Sequence, residues 1–158
     1  METAPIAAQR ELVINRRINA PPASVYRAWM QPELLKQWFA PKPFTVPVAE
    51  LDVRVGGSAL IVMRSPEGME MPNRGVYLEI VPNEKIVFTD AYTKAWEPSN
   101  HPFMTVTLTF EPAAGGATNY TARVAHWTAA DCAKHEQMGF HQGWGQCTDQ
   151  LAVLAATL

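Results

Sequence analysis

The alternation of apolar and polar residues changes period twice along this chain, and each change marks a change of structural element. Residues 11–18 (Glu-Leu-Val-Ile-Asn-Arg-Arg-Ile) read as a first strand. Asn19 stands where a helix cap is expected, with Pro21 and Pro22 in the first turn, where proline is tolerated. That helix runs through Val25, Tyr26 and Trp29. Pro32 opens a second short helix, Glu33 to Trp38, which Pro41 and Pro43 prevent from continuing.

The period then becomes two. From Thr45 to Val55, Ala49, Leu51, Val53 and Val55 share one face, opposite Glu50, Asp52 and Arg54. Gly56-Gly57 predicts a hairpin into a strand from Ser58 to Arg64, which ends in the turn Ser65-Pro66-Glu67-Gly68. A strand over 74–81 carries Val76, Leu78 and Ile80 on one side, and Pro82 to Lys85 turn it into a strand from Ile86 to Tyr92. Met104, Val106, Leu108 and Phe110 alternate with Thr105, Thr107, Thr109 and Glu111, the cleanest half-buried strand in the chain. Ala113 to Gly116 turn it into a last strand over 118–127.

The period becomes helical again near Asp131, a carboxylate that suits a helix N-terminus. At about 100° per residue, Ala133, Gln137, Phe140, Trp144, Cys147, Leu151, Leu154 and Leu158 form one apolar stripe. Within this helix stand Gly139, Gly143 and Gly145, each costing about 1 kcal/mol against alanine. Such a cost is offset by a close backbone approach or by a space that must stay open. The wheel sets Gly143 at the edge of the stripe, next to the sheet or a ligand, and turns Gly145 away.

A strand, two short helices, six strands in hairpin succession and a long helix make an α+β chain. The meander implies a curved antiparallel sheet of about seven strands, its concave face covered by the C-terminal helix. At 158 residues and 47% apolar composition the chain suits one domain with a sizeable core. Residues 1–10 lack the basic start and apolar block of a secretory signal and read as a flexible tail, leaving 11–158 as the domain. No apolar run approaches the roughly 18 residues that span a bilayer, so no membrane partner is expected. Net charge is −2 with both signs intermixed, which argues against a nucleic-acid face. On one continuous helix Cys132 and Cys147 would lie about 22 Å apart, beyond disulfide reach. Two reduced thiols point to a cytoplasmic protein.

The order of short motifs resembles a known family. Arg17-Ile-Asn-Ala-Pro-Pro22, Val25-Tyr-Arg-Ala-Trp29, Pro32-Glu33, Trp38-Phe-Ala-Pro41 and Glu50-Leu-Asp-Val-Arg-Val-Gly-Gly57 occur in sequence. Gly75-Val-Tyr-Leu-Glu-Ile-Val-Pro82, Val87-Phe-Thr-Asp90, Thr105-Val-Thr-Leu-Thr-Phe110 and Gly143-Trp144 followed by Leu151 continue the series. From about residue 11 to 156 the chain resembles the SRPBCC or START-like superfamily, in the branch related to the activator of the heat-shock chaperone ATPase. Val55 replaces a proline common in that family, and Gly145 stands outside its pattern. The resemblance implies the helix-grip fold, a sheet wrapped around the C-terminal helix with a cavity between them. Relatives use that cavity for apolar small molecules, and the family also holds cyclases and co-chaperone domains, so fold alone leaves function open.

On this reading the chain binds a small lipophilic or aromatic molecule. Phe140 and Trp144 wall the cavity from the helix, and Val106, Leu108, Phe110, Tyr120 and His126 wall it from the sheet. The alternatives are a cyclase or hydrolase in the same cavity and a chaperone-interaction module, with a homodimer also open. No cofactor is expected. None of the four histidines forms an i, i+4 pair, no CxxC occurs, and nucleophile-elbow, P-loop and dinucleotide signatures are missing.

Five further groups each have two readings. His126 shares parity with Tyr120, Ala122 and Val124, so it is either a hydrogen-bonded histidine at the sheet's end or a ligand or acid/base group. Asp90 shares parity with Ile86 and Phe88, and is either an inward acid/base group or solvated just past the core. His141 flanks the apolar stripe, at the surface or reaching the cavity. Residues 93–103 make the longest irregular connection; its Trp96 and Phe103 either form a cavity mouth or pack on the barrel edge. Met63, with Met69, Met71 and Met104, is either adaptable lining or plain core.

Overall fold

Alternation between residues 45 and 126 builds six strands of one continuous antiparallel sheet, and the strands on either side of the chain's first crossover form its two edges. The computed structural model describes residues 10–158. The tail expected over 1–10 therefore lies outside the described residues except for Arg10, whose guanidinium donates to the Trp127 carbonyl.

The strands are β1 (Glu11–Ile18), β2 (Thr45–Leu51), β3 (Ser58–Arg64), β4 (Glu70–Val81), β5 (Lys85–Thr89), β6 (Tyr92–Lys94), β7 (Glu97–Pro98), β8 (Met104–Ala113) and β9 (Ala117–His126). The helices are α1 (Pro22–Met30), α2 (Pro32–Leu35), α3 (Ala129–Gln137) and α4 (Phe140–Ala155). Seven strands form the main sheet in the order β1-β9-β8-β5-β4-β3-β2, all neighbours antiparallel, while β6 and β7 pair as a small ribbon inside the connection from β5 to β8. Because β1 pairs with β9, it and β2 lie at opposite edges, and α1 and α2 must cross the sheet between them.

The core sits where α1 and α4 meet β1, β9 and β8. Facing pairs Phe110 and Tyr120, Leu108 and Ala122, and Val106 and Val124 are fully buried in register. Leu12, Ile14 and Ile18 extend this face on β1, against Val25, Ala28 and Trp29 of α1 and Phe140, Leu151 and Ala155 of α4. Each large side chain enclosed this way contributes about 1.5–3 kcal/mol. Polar ties fix the layers: the Trp29 indole donates to the Tyr120 hydroxyl at 3.2 Å, and the Trp38 indole to the Ala28 carbonyl at 3.0 Å. Gln150 of α4 donates to the Trp38 and Ala40 carbonyls, both at 2.9 Å, pinning the α2 loop to the helix.

Several expected elements shift for identifiable reasons. Helix α1 starts with Pro22 behind Pro21, and no side chain caps it, so Asn19 is not the cap. The chain entering α1 is held by the buried Thr118 hydroxyl, which donates to the Ala20 carbonyl at 2.7 Å. The second helix is regular only over Pro32–Leu35 and continues to Phe39 as turns. Strand β2 ends at Leu51, because Asp52 to Gly57 curl into a turn that leaves Val53 and Val55 exposed. In β4, Tyr77 opposes Phe88 and Glu79 opposes Val87, so Leu78 bulges out of the ladder. Parity breaks there: Val76 and Tyr77 are both buried and Leu78 is exposed.

The largest correction concerns the last helix. The chain breaks at Gly139, in the left-handed region at φ +95, so 129–155 is two helices rather than one. Thr128 caps α3 by accepting from the Asp131 N–H. Ahead of the break the wheel loses its phase: Ala133 and Gln137 are exposed, while Cys132 is buried.

The glycines also exchange roles. Gly145 is buried, and a methyl there would lie 3.1 Å from the Arg16 guanidinium, whereas at Gly143 nothing lies within 4 Å. Gly143→Ala is thus expected to stabilise the protein by about 1 kcal/mol through helix propensity, with a smaller gain or none for Gly145→Ala. A methyl on Gly57 would stand 2.0 Å from the Asp52 carbonyl oxygen, both of them backbone-fixed. Gly57→Ala should therefore cost about 2–3 kcal/mol or more. Urea denaturation of the three variants checks this order, and a stabilised Gly57→Ala would refute the turn geometry.

Candidate functional site

The helices cover β1, β9 and β8 tightly but leave space over β5, β4 and β3. This space holds two adjoining chambers of about 380 Å³ each, which share Trp29, Phe39, Asn73, Asp90 and Met104 as a common wall. The first lies over the open half of the sheet, against Ile61, Tyr77, Ile86 and Phe88, with Arg74 and His101 among its polar residues. The second lies under the start of α4, against Trp38, Met63, Phe103, Tyr120, Phe140 and Trp144.

Local sequence explains why the second chamber stays open. Gly139 ends α3 and re-aims the chain, and Gly143 presents no side chain to the space beside Trp144. The Phe140 and Trp144 rings pack at 5.4 Å, tilted by 34°, one fully buried and the other half-buried. Across the chamber, Trp29 packs edge-on against Trp38 at 4.6 Å and against Phe39 at 6.0 Å.

Met63, Phe103, Tyr120, Phe140 and Trp144, all expected to face a cavity, line the second chamber, and Met104 lines both. Val106, Leu108 and Phe110 do not: they are closed off beneath the helices at 0–1% exposure, so they are core rather than wall. Trp96 is 89% exposed and touches only the Tyr92 ring edge-on among the aromatic pairs, so it neither closes a mouth nor packs on the barrel edge. His141 is exposed and pairs with Glu136 at 3.1 Å, away from either chamber. Met69 is exposed and lines neither chamber. Asp90 lines both, and one carboxylate oxygen accepts from the Phe103 and Met104 N–H groups at 2.8 and 3.0 Å. It caps the return of the chain into β8.

His126 points inward and is 4% exposed, but it lies behind the wall. Its Nδ1 stands 2.9 Å from the Arg10 carbonyl oxygen and its Nε2 stands 2.8 Å from Nδ1 of His135. His135, which does line the second chamber, had no signal in the sequence pattern. Gly139 directly after Met138 was the available clue, since a helix ending there frees α3 from the wheel phase of α4. The His135 ring packs at 5.1 Å from each of Phe103, His126 and Phe140. Burial, with neighbouring His126 adding to it, pushes its pKa down to about 4.

Two further groups in the wall of the second chamber are held in their protonated, neutral forms. Burial pushes the Tyr120 phenol well above its ordinary range and the Cys147 thiol up to about 11. Cys132 and Cys147 are both free thiols. Among the described residues no three His, Cys, Asp or Glu side chains gather as a metal site, and no helix is long and apolar enough to cross a membrane.

Comparison with known proteins places this geometry in a family. The profile of the family described as activator of Hsp90 ATPase homolog 1-like protein matches residues 19–156. A crystal structure of a protein from Nitrosomonas europaea is similar, at 37% identity over 95% of this chain and 96% of that one, with a TM-score of 0.91. One from Chromobacterium violaceum is 30% identical over 92% of this chain and 97% of its own, with a TM-score of 0.74. A Rhodobacter sphaeroides structure at 21% identity shares the fold, with a TM-score of 0.82 over 95% of both chains. No curated protein matches the chain.

The histidine pair makes stability depend on pH. In the unfolded chain His135 takes a proton near 6.5, but in the fold only near 4. Between these values the unfolded chain binds more protons, so stability rises with pH across the window. The contribution is complete above about 6.5 and is lost as pH falls toward 4. Since the ring is only half enclosed, solvent screening reduces it to about 1–2 kcal/mol. Urea midpoints of wild type and His135→Phe, followed across this window, should diverge by that amount; parallel curves would remove the coupling.

Proposed function

This chain belongs to the activator of Hsp90 ATPase homolog 1-like family, and from that premise we propose that its cleft binds one small lipophilic or aromatic molecule. The observation that carries the reading is the cleft itself: adjoining chambers of about 380 Å³ each, walled by aromatic side chains. Pockets for small molecules run from about 300 to 1,000 Å³, with apolar walls and a few oriented polar groups. Protein interiors otherwise pack to the density of organic crystals. A chain that keeps Trp29, Phe39, Phe103, Phe140 and Trp144 around an open space forgoes burial that a ligand would restore.

The mechanism is burial. A bicyclic aromatic molecule seated against these rings gains about 25 cal/mol for each Å² of apolar surface removed from water, and ring stacking adds to this. Met63 and Met104 adapt the wall to the ligand's outline, and Asn73, Asp90 and Tyr120 offer orienting polar groups. Residues 11–158 act as one cytoplasmic binding domain rather than an enzyme on this reading.

Gly143 has a second role here. The alanine variant that helix propensity stabilises also places a methyl in the second chamber, and Gly143→Leu extends a four-carbon side chain into it. Titration of wild type with β-naphthol and with longer lipophilic probes should quench tryptophan emission saturably, because Trp29, Trp38 and Trp144 line the chambers. Gly143→Leu should weaken binding at least about ten-fold while the protein stays folded by circular dichroism. Absence of saturable binding across neutral aromatic and aliphatic probes would overturn the reading.

A further inference from the structure

His126 behind the wall of the second chamber and His135 in that wall form a directional relay. A carbonyl oxygen only accepts, so the Arg10 carbonyl at 2.9 Å requires the proton of His126 to sit on Nδ1. The Nε2 of a neutral His126 is then an acceptor, and the 2.8 Å contact requires His135 to donate from its own Nδ1. The Nε2 of a neutral His135 is consequently bare, and it has no hydrogen-bond partner among the described residues. A backbone carbonyl thus selects, through one buried ring, the tautomer of a second ring in the wall of the chamber.

On the reading that the cleft binds a small molecule, we propose that His135 Nε2 is its polar anchor, a hydrogen-bond acceptor selecting neutral aromatic molecules with a hydroxyl, the phenols. The chemistry on each side fits. The ring stays unprotonated at neutral pH, so it accepts and does not donate. Phe103 and Phe140 pack on it at 5.1 Å and keep it from turning. The chamber walls beside it are aromatic, and a phenol is both flat and a strong O–H donor. An anion is disfavoured, because the Asp90 carboxylate stands in the same chamber wall and His135 lends no positive charge. Arg10 contributes its backbone carbonyl to the relay and directs its guanidinium to the Trp127 carbonyl.

Calorimetry with β-naphthol and its methyl ether, which has the same rings and no O–H donor, separates this from plain apolar binding. Wild type should bind the naphthol about ten-fold more tightly, the worth of one net hydrogen bond. His135→Phe should abolish that preference, bringing the naphthol-to-ether affinity ratio to about one. Equal affinity in wild type, or a preference that survives in His135→Phe, overturns the anchor and leaves apolar binding standing. If neither compound binds, the cleft reading fails and the anchor with it. Nitrogen-15 shifts of the two imidazoles in unliganded wild-type protein test the relay without a ligand or a variant. Both rings should carry their proton on Nδ1 near neutral pH, and a His135 protonated on Nε2 would overturn the proposal.

Discussion

How far one helix can reach across a seven-stranded sheet determines nearly everything else in this molecule. Six strand gaps at about 4.8 Å make a sheet roughly 29 Å wide. Helix α4, with 16 residues, is about 24 Å long but only about 10–12 Å across. Together with α1 it covers the side of β1, β9 and β8, where Val106, Leu108, Tyr120 and Val124 are closed off from solvent. The rest of the concave face receives only the α2 loop and a few large rings. An interior therefore remains over β5, β4 and β3, bounded by apolar side chains but not filled by them. The cleft is a consequence of this coverage rather than a local opening in a finished core.

The same limitation explains the pattern of strain and freedom in the backbone. Where strands pack beneath helices the ladder from β8 to β9 and from β9 to β1 is in unbroken register. The departures occur on the uncovered side: a shift at the start of β2 and the bulge at Leu78 in β4. Bulges bend a strand and increase its twist, which curls the free half of the sheet back toward the helices. Gly75 belongs to this bend, since a methyl there would meet the Thr89 carbonyl oxygen at 2.6 Å. Curvature is bought with one outward leucine and one obligatory glycine.

Periodicity revealed the strands because each has one buried face, and a two-residue period is hard to mistake when Met104 to Phe110 alternate with threonines. Proline positions marked the early helices, and the order of elements implied the architecture that the family resemblance then matched. What alternation cannot express is a change of phase inside a segment. Leu78 and Val53 were misplaced because a bulge and a turn reset parity. The wheel over 129–158 failed for the same reason: Gly139 ends one helix and begins another, so the two halves share no common stripe. That failure exchanged the roles of Gly143 and Gly145 and hid His135, whose position depends on the break. Chamber-lining rings were legible where a large side chain had to face inward, as with Phe103, Tyr120, Phe140 and Trp144. Val106, Leu108 and Phe110 have the same parity, but depth under the helix, which pattern does not encode, makes them core.

His126 shows how a residue can be read correctly and still be assigned to the wrong layer. Its parity places it inward, and it is inward, yet it meets another imidazole rather than the open space. A buried ring with two nitrogens must satisfy both, and at the end of β9 the available partners are the Arg10 carbonyl and His135. Leaving either nitrogen unpaired would cost about 1–3 kcal/mol. The contact ties the last turn of α3 to the sheet just before the chain turns at Gly139. The polar pair therefore fixes the position from which α4 sets out, and α4's starting point decides how much of the chamber beneath Phe140 and Trp144 stays open. A hydrogen-bond need at the sheet's end, satisfied from the next element, thus shapes the apolar cleft.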